Sequence, residues 1–418
     1  MRIAYVSSDR GIPINGTKGA SIHVRGMAQA LAQRGHEVRI LAARVDGEAP
    51  PGFRPGIIDF GFDRMLKDLR RDIRARGDEN IGNEAYSLLL NTALARALER
   101  LDDRWGIDAI YERYSLWSWS GLHFARERNL PFILEVNAPL VKEQATWREL
   151  SLQPIAAGLE RLLLSEADAI SVPASGLKQH IEAVTGRRRG IHVVPNGVDL
   201  AVFRNPTPPP ESIRARLRGR FVVVFLGSLK PWHGIENLCR AFRKLRAKVP
   251  AAHLLVVGEG PMLGYLEQTA AELGPDAITL TGAVPHQDVP GLLACADVGV
   301  APYPELEAFY FCPLKVIEYQ AAGLPVVASD LGDMAKLVAH GRTGLLVPPG
   351  DTRALAHALT ELHDDPPQRA RFGARARRRA DSQHGWEVSA QRVEDFITRV
   401  AARRAERMAQ PHVMTGTA

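Results

Sequence analysis

Short apolar runs alternate with amphipathic stretches along most of the chain. The first run, residues 2–7, leads into a glycine-containing loop, and from Ser21 onward the apolar positions recur at helical spacing. We expect Ser21 to cap that helix and Gly35 to follow its end, and an apolar run at residues 36–41 predicts the next strand. Because strands and helices that alternate in this way build parallel sheets, the pattern predicts an α/β fold.

The alternation continues through both halves of the chain. Further strands are predicted at residues 109–111, 132–136, 169–172, 191–194, 221–226, 253–257, 278–280, 297–301, 325–328 and 345–347. Residues 204–211 interrupt the pattern with four prolines, which stiffen a segment towards an extended linker. The sequence therefore predicts two doubly wound domains, residues 1–203 and 212–384.

Length and composition are those of a globular protein with more than one domain. The 418 residues exceed a single ordinary domain, and 45% hydrophobic against 24% charged residues excludes a wholly disordered chain. No apolar run reaches the roughly 20 residues that a membrane-spanning helix needs, and the first residues lack the pattern of a secretory signal. We therefore expect a cytoplasmic protein.

The three cysteines, Cys239, Cys295 and Cys312, are far apart and show no Cys-x-x-Cys or Cys/His spacing. Neither a disulfide framework nor a structural zinc site is expected, and the sequence suggests no other metal centre.

The formal net charge of +6 is compatible with an anionic partner. Six arginines lie between residues 369 and 379 with no acidic residue among them. This run is either a solvated helix face or a contact for an anionic surface, such as peripheral contact with a membrane. No nucleic-acid-binding module is recognisable, so no nucleic-acid partner is expected.

Two glycine-containing loops follow predicted strands of the second domain. Residues 227–234 follow one strand and residues 258–261 follow the next. Such loops present backbone N–H groups to an anion, and Lys230 and His233 add positive charge to the first of them.

A third segment, residues 301–329, reads as strand, aromatic loop, helix and strand. Pro313 suits the first turn of that helix. The helix N-terminus carries free N–H groups and partial positive charge, which suit a diphosphate. Lys315 lies in the first turn, and Glu318, one turn later, is placed to accept both hydroxyl groups of a ribose.

These segments are similar to those of the family 4 retaining glycosyltransferases, which have the two-domain GT-B fold. The matching motifs are Gly-His-Glu-Val at 35–38, Pro-Asn-Gly-Val-Asp at 195–199, Gly-Glu-Gly-Pro at 258–261, Gly-Ala-Val-Pro at 282–285 and the run 313–327. The resemblance implies two Rossmann-like domains that face each other across a cleft. It also implies a C-terminal helix, residues 385–409, that crosses back to the first domain.

The resemblance also implies the reaction: a sugar moves from a nucleoside-diphosphate-sugar to an acceptor hydroxyl, with the anomeric configuration retained and without a metal. The nucleotide-sugar is a co-substrate, and no further cofactor is implied. The resemblance places this donor on the C-terminal domain and a glycan, lipid-linked or small-molecule acceptor mainly on the N-terminal domain.

The residues that the resemblance assigns to the donor include a ribose-binding glutamate at Glu318, a phosphate loop at 312–315 and an N-terminal loop glycine at Gly19. The full set is Gly19, Ser228, Lys230, His233, Gly258, Val284, Cys312, Pro313, Leu314, Lys315 and Glu318. The candidate acceptor residues are His23, Glu135, Asn137 and Glu143.

Three positions depart from the family pattern. The usual pair of glutamates has Tyr310 in place of its first member, and Glu305 and Glu307 stand out of register. The basic residues that usually neutralise the diphosphate are replaced near Ser228 and His233, and a histidine after the 132–136 strand is replaced by Asn137. The candidate catalytic residues are Asn137, Tyr310 and Lys230.

Two alternatives from other functional classes stay open at this stage. One is a non-catalytic protein that binds a nucleotide-sugar, which the missing glutamate suggests. The other is an enzyme of the same architecture with different chemistry, such as a sugar-nucleotide epimerase or a glycoside phosphorylase.

Overall fold

The computed structural model describes residues 1–61, 64–76, 79–306 and 309–409. The chain divides into two compact units: Met1–Pro195 together with the chain from Trp386 onward, and Asn196–Gly385. None of the helices in the described ranges is long and apolar enough to cross a membrane.

The first unit is built on a parallel sheet of seven strands in the order β3-β2-β1-β4-β5-β6-β7. Its strands are β1 (Arg2–Ser7), β2 (Glu37–Ala42), β3 (Gly56–Asp59), β4 (Ala109–Arg113), β5 (Phe132–Glu135), β6 (Ala169–Val172) and β7 (Ile191–Val193). Its helices are α1 (Gly19–Gln33), α2 (Arg64–Ala75), α3 (Glu79–Trp105), α4 (Ser120–Glu127), α5 (Leu140–Trp147), α6 (Gln153–Glu166) and α7 (Ser175–Thr185).

The second unit has a parallel sheet of six strands in the order β10-β9-β8-β11-β12-β13. Its strands are β8 (Phe221–Leu226), β9 (Ala252–Val257), β10 (Ile278–Leu280), β11 (Val298–Ala301), β12 (Val326–Ser329) and β13 (Gly344–Val347). Its helices are α8 (Leu200–Arg204), α9 (Glu211–Leu217), α10 (Ile235–Lys248), α11 (Leu263–Leu273), α12 (Val289–Leu293), α13 (Leu314–Ala321), α14 (Met334–Leu337), α15 (Thr352–Asp364) and α16 (Pro366–Gln383). Short 3-10 turns lie at Pro231–His233 and His286–Asp288.

The last helix, α17 (Trp386–Ala409), belongs to the first unit, where it packs on α1. Ala390, Val393 and Ile397 of α17 are buried in one apolar cluster with Val24 and Met27 of α1. A C-terminal helix that joins the first unit was predicted from the family resemblance.

Both sheets confirm the predicted α/β class, because buried apolar strands covered by helices on a parallel sheet are its defining feature. The predicted strands agree with the observed ones to within two residues, apart from β3, which was not predicted. Strand β3 lies at the sheet edge and is half-exposed, so it lacks the apolar run that marks the other strands.

The start of α1 differs from the prediction. The helix begins at Gly19, two residues before the expected cap, and Ser21 is buried within its first turn. Lys18 occupies the capping position and makes no side-chain capping bond.

The boundary between the units also differs from the predicted one at the proline-rich segment. Val198 and Phe203 lie in an apolar cluster of the second unit, and the Val198 N–H donates to the carbonyl of His384. The segment 196–203 therefore packs with the second unit, because its apolar side chains find their partners there.

In the second unit the strand order reverses between β8 and β11, and the loops after these two strands diverge there. Tyr319 of α13 joins β8 and β11 at this switch point through its side-chain hydroxyl. Its buried hydroxyl accepts from the N–H of Leu226 (2.8 Å) and donates to the carbonyl of Val300 (3.2 Å). Ligands of open parallel sheets bind at such switch points.

We predict that Gly26→Ala lowers the melting temperature of the protein. Gly26 of α1 lies against the indole of Trp386, and an added Cβ would sit 2.4 Å from a ring atom. Overpacking of this kind costs about 1–3 kcal/mol, which corresponds to about 2–4 °C for each kcal/mol. Differential scanning calorimetry measures the change.

The matched control is Gly158→Ala in α6, where the added methyl group meets open space. Alanine has the higher helix propensity, so this variant should be as stable as the wild type or slightly more so. Equal melting temperatures for the two variants would show that α17 does not depend on close packing at Gly26.

Candidate active site

Three loops meet at the switch point of the second unit, at the carboxyl ends of their strands. The Gly227 N–H donates to the carbonyl of Val257 (2.9 Å), and the Leu229 N–H donates to the carbonyl of Glu259 (2.8 Å). These bonds join the loop after β8 to the loop after β9. At Gly258 an added Cβ would lie 2.1 Å from the carbonyl oxygen of Gly227, so the close approach requires glycine.

Gly234 allows the loop after β11 to pack closely against the loop after β8. Its φ is +74°, and an added Cβ would lie 1.7 Å from the carbonyl oxygen of Pro302. Both the left-handed backbone and the missing side chain are therefore needed where the loop after β8 contacts the loop after β11.

Lys315, in the first turn of α13, extends its side chain beneath these loops and is 6% exposed. Its Nζ lies 4.0 Å from the ring centre of Phe225 and 5.5 Å from that of Tyr303. An added Cβ on Gly227 would stand 3.5 Å from the same nitrogen. No described residue accepts a hydrogen bond from this amine.

Burial lowers the pKa of Lys315 to about 7, because the charged form has lost its water. The neighbouring aromatic faces attract the charged amine but provide no hydrogen-bond acceptor. A buried ammonium group without an acceptor is costly, so this position suits an anionic ligand that supplies one.

His233 lies at the same edge. Its Nδ1 is 2.6 Å from the carbonyl oxygen of Ser228. Burial, followed by the charge of Lys315, lowers the pKa of His233 to about 4. The ring is therefore neutral near pH 7, and its Nδ1–H donates to that carbonyl, which keeps the loop after β8 in place.

Glu318, one turn after Lys315 on α13, is 8% exposed. Its Oε1 lies 3.0 Å from Nε2 of His286, on the 3-10 turn that follows β10 and the Gly-Ala-Val-Pro motif. His286 was missed by sequence reasoning, because nothing in the pattern around residue 286 marks a polar contact to a helix 32 residues away.

The residues just before α13 range from half-buried Cys312 to buried Pro313. Pro313 stands at the capping position of the helix, and Leu314 is its first residue. Burial raises the pKa of Cys312 to about 12, so its thiol stays protonated. Lys315 lies in the first turn of α13, which carries the free N–H groups and the positive end of the helix dipole.

The other candidates of this unit lie around these loops. Val284 is half-buried and packs on the apolar core. Lys230 Nζ lies 5.7 Å from the ring centre of Trp232. Tyr310 is half-buried with its ring edge-on to Phe311 (5.7 Å), Glu305 is exposed, and Glu307 is outside the described residues.

In the first unit, three of the acceptor candidates meet at the carboxyl end of β5. The buried Glu135 carboxylate contacts Nε2 of His23 of α1. It also accepts hydrogen bonds from Asn137 Nδ2 (2.9 Å), from the Tyr5 hydroxyl (2.6 Å) and from Arg113 Nη1 (3.4 Å). Tyr5 and Arg113 were not among the candidates.

Burial alone would raise the pKa of Glu135, but His23, Arg113 and Asn137 outweigh it and hold the pKa well below its usual range. The carboxylate is therefore charged and fully engaged. It orients His23, which also contacts the indole of Trp386 edge-on at 5.0 Å.

The structure does not bring the other two candidates of this unit into that network. Glu143 is half-buried in the first turn of α5, and Gly19 is the exposed first residue of α1.

A pair of arginines that sequence reasoning missed covers Tyr86 of α3. The Cζ atoms of Arg10, in the loop after β1, and of Arg70, in α2, lie 4.5 and 5.5 Å from the centre of this buried ring. Burial, followed by the charge of Arg10, lowers the pKa of Arg70. Neither guanidinium group forms an ion pair with a carboxylate in the described ranges.

Comparison with known families identifies both units. Residues 17–202 match the family described as "Glycosyltransferase Family 4", and residues 220–365 match "Glycosyl transferases group 1". The chain is a family 4 glycosyltransferase. It is therefore a transferase that takes its sugar from a nucleotide-sugar, which confirms the enzyme class inferred from the motifs.

Curated relatives of this glycosyltransferase include the glycogen synthase of Mycobacterium tuberculosis, 27% identical over 99% of this chain and 98% of the relative. They also include the GDP-mannose-dependent alpha-(1-6)-phosphatidylinositol monomannoside mannosyltransferase of the same species. That relative is 30% identical over 59% of this chain and 66% of its own length.

Among solved structures, the sucrose-phosphate synthase of Thermosynechococcus elongatus superposes on the glycosyltransferase with a TM-score of 0.70. The two are 24% identical, and the match covers 96% of this chain and 99% of the other. This likeness shows the fold, which is GT-B.

We predict that Lys315→Met stabilises the glycosyltransferase but weakens its binding of nucleotide-sugars. Methionine fills similar space beside Phe225 and Tyr303 without a buried charge, so the melting temperature should rise. The loss of a charge-assisted contact should weaken donor affinity by about tenfold or more. Differential scanning calorimetry and isothermal titration calorimetry measure the two effects.

The pH dependence separates this role from a purely structural one. Because the unfolded state binds the proton more tightly between pH 7 and the ordinary lysine range, the stability of the wild type rises with pH there, and the advantage of Lys315→Met shrinks. Donor affinity of the wild type should fall above pH 7, whereas the variant should show no such fall. Equal pH dependence in both proteins would contradict the prediction.

Proposed function

We propose that this glycosyltransferase retains the configuration of the transferred sugar, that its second unit binds the donor and that its first unit binds a phosphate-bearing acceptor. The observation that carries the donor assignment is the buried amine of Lys315, which lacks a hydrogen-bond acceptor in the described structure and lies at the start of α13. The family membership of the chain supports the same assignment.

The donor diphosphate is assigned to the first turn of α13. There the helix N–H groups, the positive end of its dipole and Lys315 all favour negative charge. A bound diphosphate places an anion beside the amine and so raises the pKa of Lys315. Diphosphate binding and protonation of Lys315 therefore favour each other.

The ribose is assigned to Glu318. A carboxylate accepts hydrogen bonds from two neighbouring hydroxyl groups, and the contact from His286 to Oε1 holds this carboxylate in one orientation. The base then lies towards the loop that contains Val284.

The reaction breaks the bond between the anomeric carbon and the diphosphate and forms one between that carbon and the acceptor oxygen. The acceptor proton passes to the departing phosphate. Retention follows when the acceptor attacks from the face that the diphosphate leaves, so no carboxylate nucleophile is needed. This agrees with Tyr310 in the position where the family has a glutamate. The largest catalytic contribution is then stabilisation of the growing diphosphate charge by groups already in place.

The acceptor phosphate is assigned to Arg10 and Arg70. Two guanidinium groups over one ring repel each other, and an anion between them removes that repulsion and accepts their hydrogen bonds. The loop that contains Arg10 follows β1, at the switch point between β1 and β4 of the first sheet. One relative is named for transfer to a phosphatidylinositol mannoside, which supports an acceptor of this class. A lipid-linked acceptor of this kind would also bring the enzyme to a membrane surface.

The donor assignment is tested with Glu318→Ala. In a thermal-shift panel of UDP-, GDP- and TDP-sugars, one donor should stabilise the wild type, and the variant should bind it about 10–100-fold more weakly because the ribose loses charge-assisted hydrogen bonds. The matched control is Glu267→Ala on α11, which removes an exposed glutamate of the same unit. Unchanged donor affinity in Glu318→Ala would remove this residue from the site.

The acceptor assignment is tested with Arg10→Gln and Arg70→Gln. With phosphatidylinositol and inositol 1-phosphate as acceptors, each variant should raise the acceptor KM by about tenfold and leave the donor KM unchanged. Arg71→Gln is the control, because Arg71 is exposed on the same helix and pairs with Asp68. An equal rise in KM for unphosphorylated inositol would contradict a phosphate contact.

A further inference from the structure

An open pocket of about 370 Å³ on the surface of the second unit is lined by four arginines, of which Arg342, Arg375 and Arg378 are exposed. Arg375, Arg378 and Arg379 come from α16 and Arg342 from the turn before β13. Thr343 and Ser382 add two hydroxyl groups. These six residues are called the arginine pocket below.

The helical wall of the arginine pocket follows from residue spacing. Positions 375, 378, 379 and 382 are separated by three, four and seven residues, so they lie on one face of α16. The opposite wall is the turn at residues 339–343, which leads into the amino end of β13.

The arginine pocket is separate from the proposed donor site. The three loops of the proposed donor site follow the carboxyl ends of β8, β9 and β11, and the loop that contains Val284 follows that of β10, whereas Arg342 and Thr343 precede β13. Because all strands of this sheet are parallel, these are opposite edges. No residue of the pocket belongs to α13 or to the three loops that meet at the donor site.

The charges of the arginine pocket are not neutralised by the described protein. Elsewhere on α16, Arg369 pairs with Asp297 and Arg377 with Asp381. The four pocket arginines form no ion pair with a carboxylate in the part of the chain that the structure describes. Some arginines of the basic run at residues 369–379 are therefore paired with carboxylates, and others line the arginine pocket.

Arg379 is the most enclosed of the four. It donates through Nη2 to the carbonyl of Lys336, while its Nε is buried and has no acceptor among the described residues. Burial lowers the pKa of Arg379. Arg379 shares the pocket lining with three further arginines, and such a cluster of guanidinium groups favours a ligand with several acceptor oxygens.

We propose that the arginine pocket is a second anion site, which binds the phosphate group of a sugar phosphate or of a phosphorylated lipid headgroup. Planar guanidinium groups hold phosphate oxygens in bidentate fashion. The volume is in the range of small-molecule sites and leaves room for a sugar or inositol ring beside the phosphate. The Thr343 hydroxyl accepts from the Ala339 N–H and the Ser382 hydroxyl donates to the Arg379 carbonyl, so the first retains its donor and the second its acceptor for such a ring.

The test compares Arg375→Ser/Arg378→Ser with Arg353→Ser/Arg371→Ser. Both double variants remove two exposed arginines from the second unit, but only the first pair lines the pocket. Glucose 6-phosphate and inositol 1-phosphate are titrated into the full chain at constant ionic strength, and in parallel the chain is sedimented with phosphatidylcholine vesicles with or without phosphatidylinositol 4-phosphate. Melting temperatures check that both variants are folded.

We expect one of these phosphates to bind the wild type and to bind the pocket variant about tenfold or more weakly, with less than a twofold change in the control. Loss of binding to the free sugar phosphates identifies a soluble ligand, and loss of vesicle binding alone identifies a lipid. Binding of these phosphates should persist in Lys315→Met, because Lys315 belongs to the proposed donor site and not to the arginine pocket. A failure of the donor proposal can therefore be told apart from a failure of this one. No binding of any probe, or equal losses in the two double variants, would overturn the proposal.

Discussion

The amine of Lys315 has been taken out of water without receiving an acceptor from the described protein. Folding around a charge in this state costs free energy, which the aromatic faces of Phe225 and Tyr303 offset only in part. The lowered pKa of Lys315 expresses the same free-energy cost, because the charged form is less stable in the protein than in water. Under the donor assignment proposed above, a cation that the protein leaves without an acceptor interacts most strongly with the diphosphate that departs.

The surrounding loops keep that amine in place through close backbone contact rather than through long side chains. Gly234 and Gly258 each allow a carbonyl to approach where a Cβ would collide, and Tyr319 ties β8 to β11 beneath them. The glycine contacts join backbone to backbone and the Tyr319 hydroxyl joins the two strands, so the three loops form one closely packed rim. A rim of this kind preserves the geometry that charge stabilisation requires, since displacements of an ångström are enough to weaken it.

The sequence predicts the strands well because each is a buried apolar run, and it misses β3 because an exposed edge strand carries no such run. It also predicts that Lys315 and Glu318 share a helix, since that depends only on local spacing. Sequence reasoning does not predict the surroundings of Lys315, because Phe225 and Tyr303 become neighbours only through the pairing of β8 with β11. The same holds for Glu135, whose partners Tyr5 and Arg113 come from two other strands of the sheet. The roles of these residues in binding stay predictions.

Net charge is a weaker guide to anionic partners than the distribution of unpaired cations. The +6 of the whole chain is a small remainder of many ionised groups, and most paired arginines, such as Arg404 with Asp168, contribute no attraction to a distant anion. Glu135 is the converse case, a buried carboxylate whose partners leave nothing for a ligand.

Within the described ranges, unpaired cations gather beside Tyr86, at the start of α13 and in the arginine pocket. An anion that reaches any of these places gains hydrogen bonds from cations that have no carboxylate partner in the described protein. The proposed donor and acceptor assignments use the first two of these places, which leaves the arginine pocket as the cationic site that neither assignment uses.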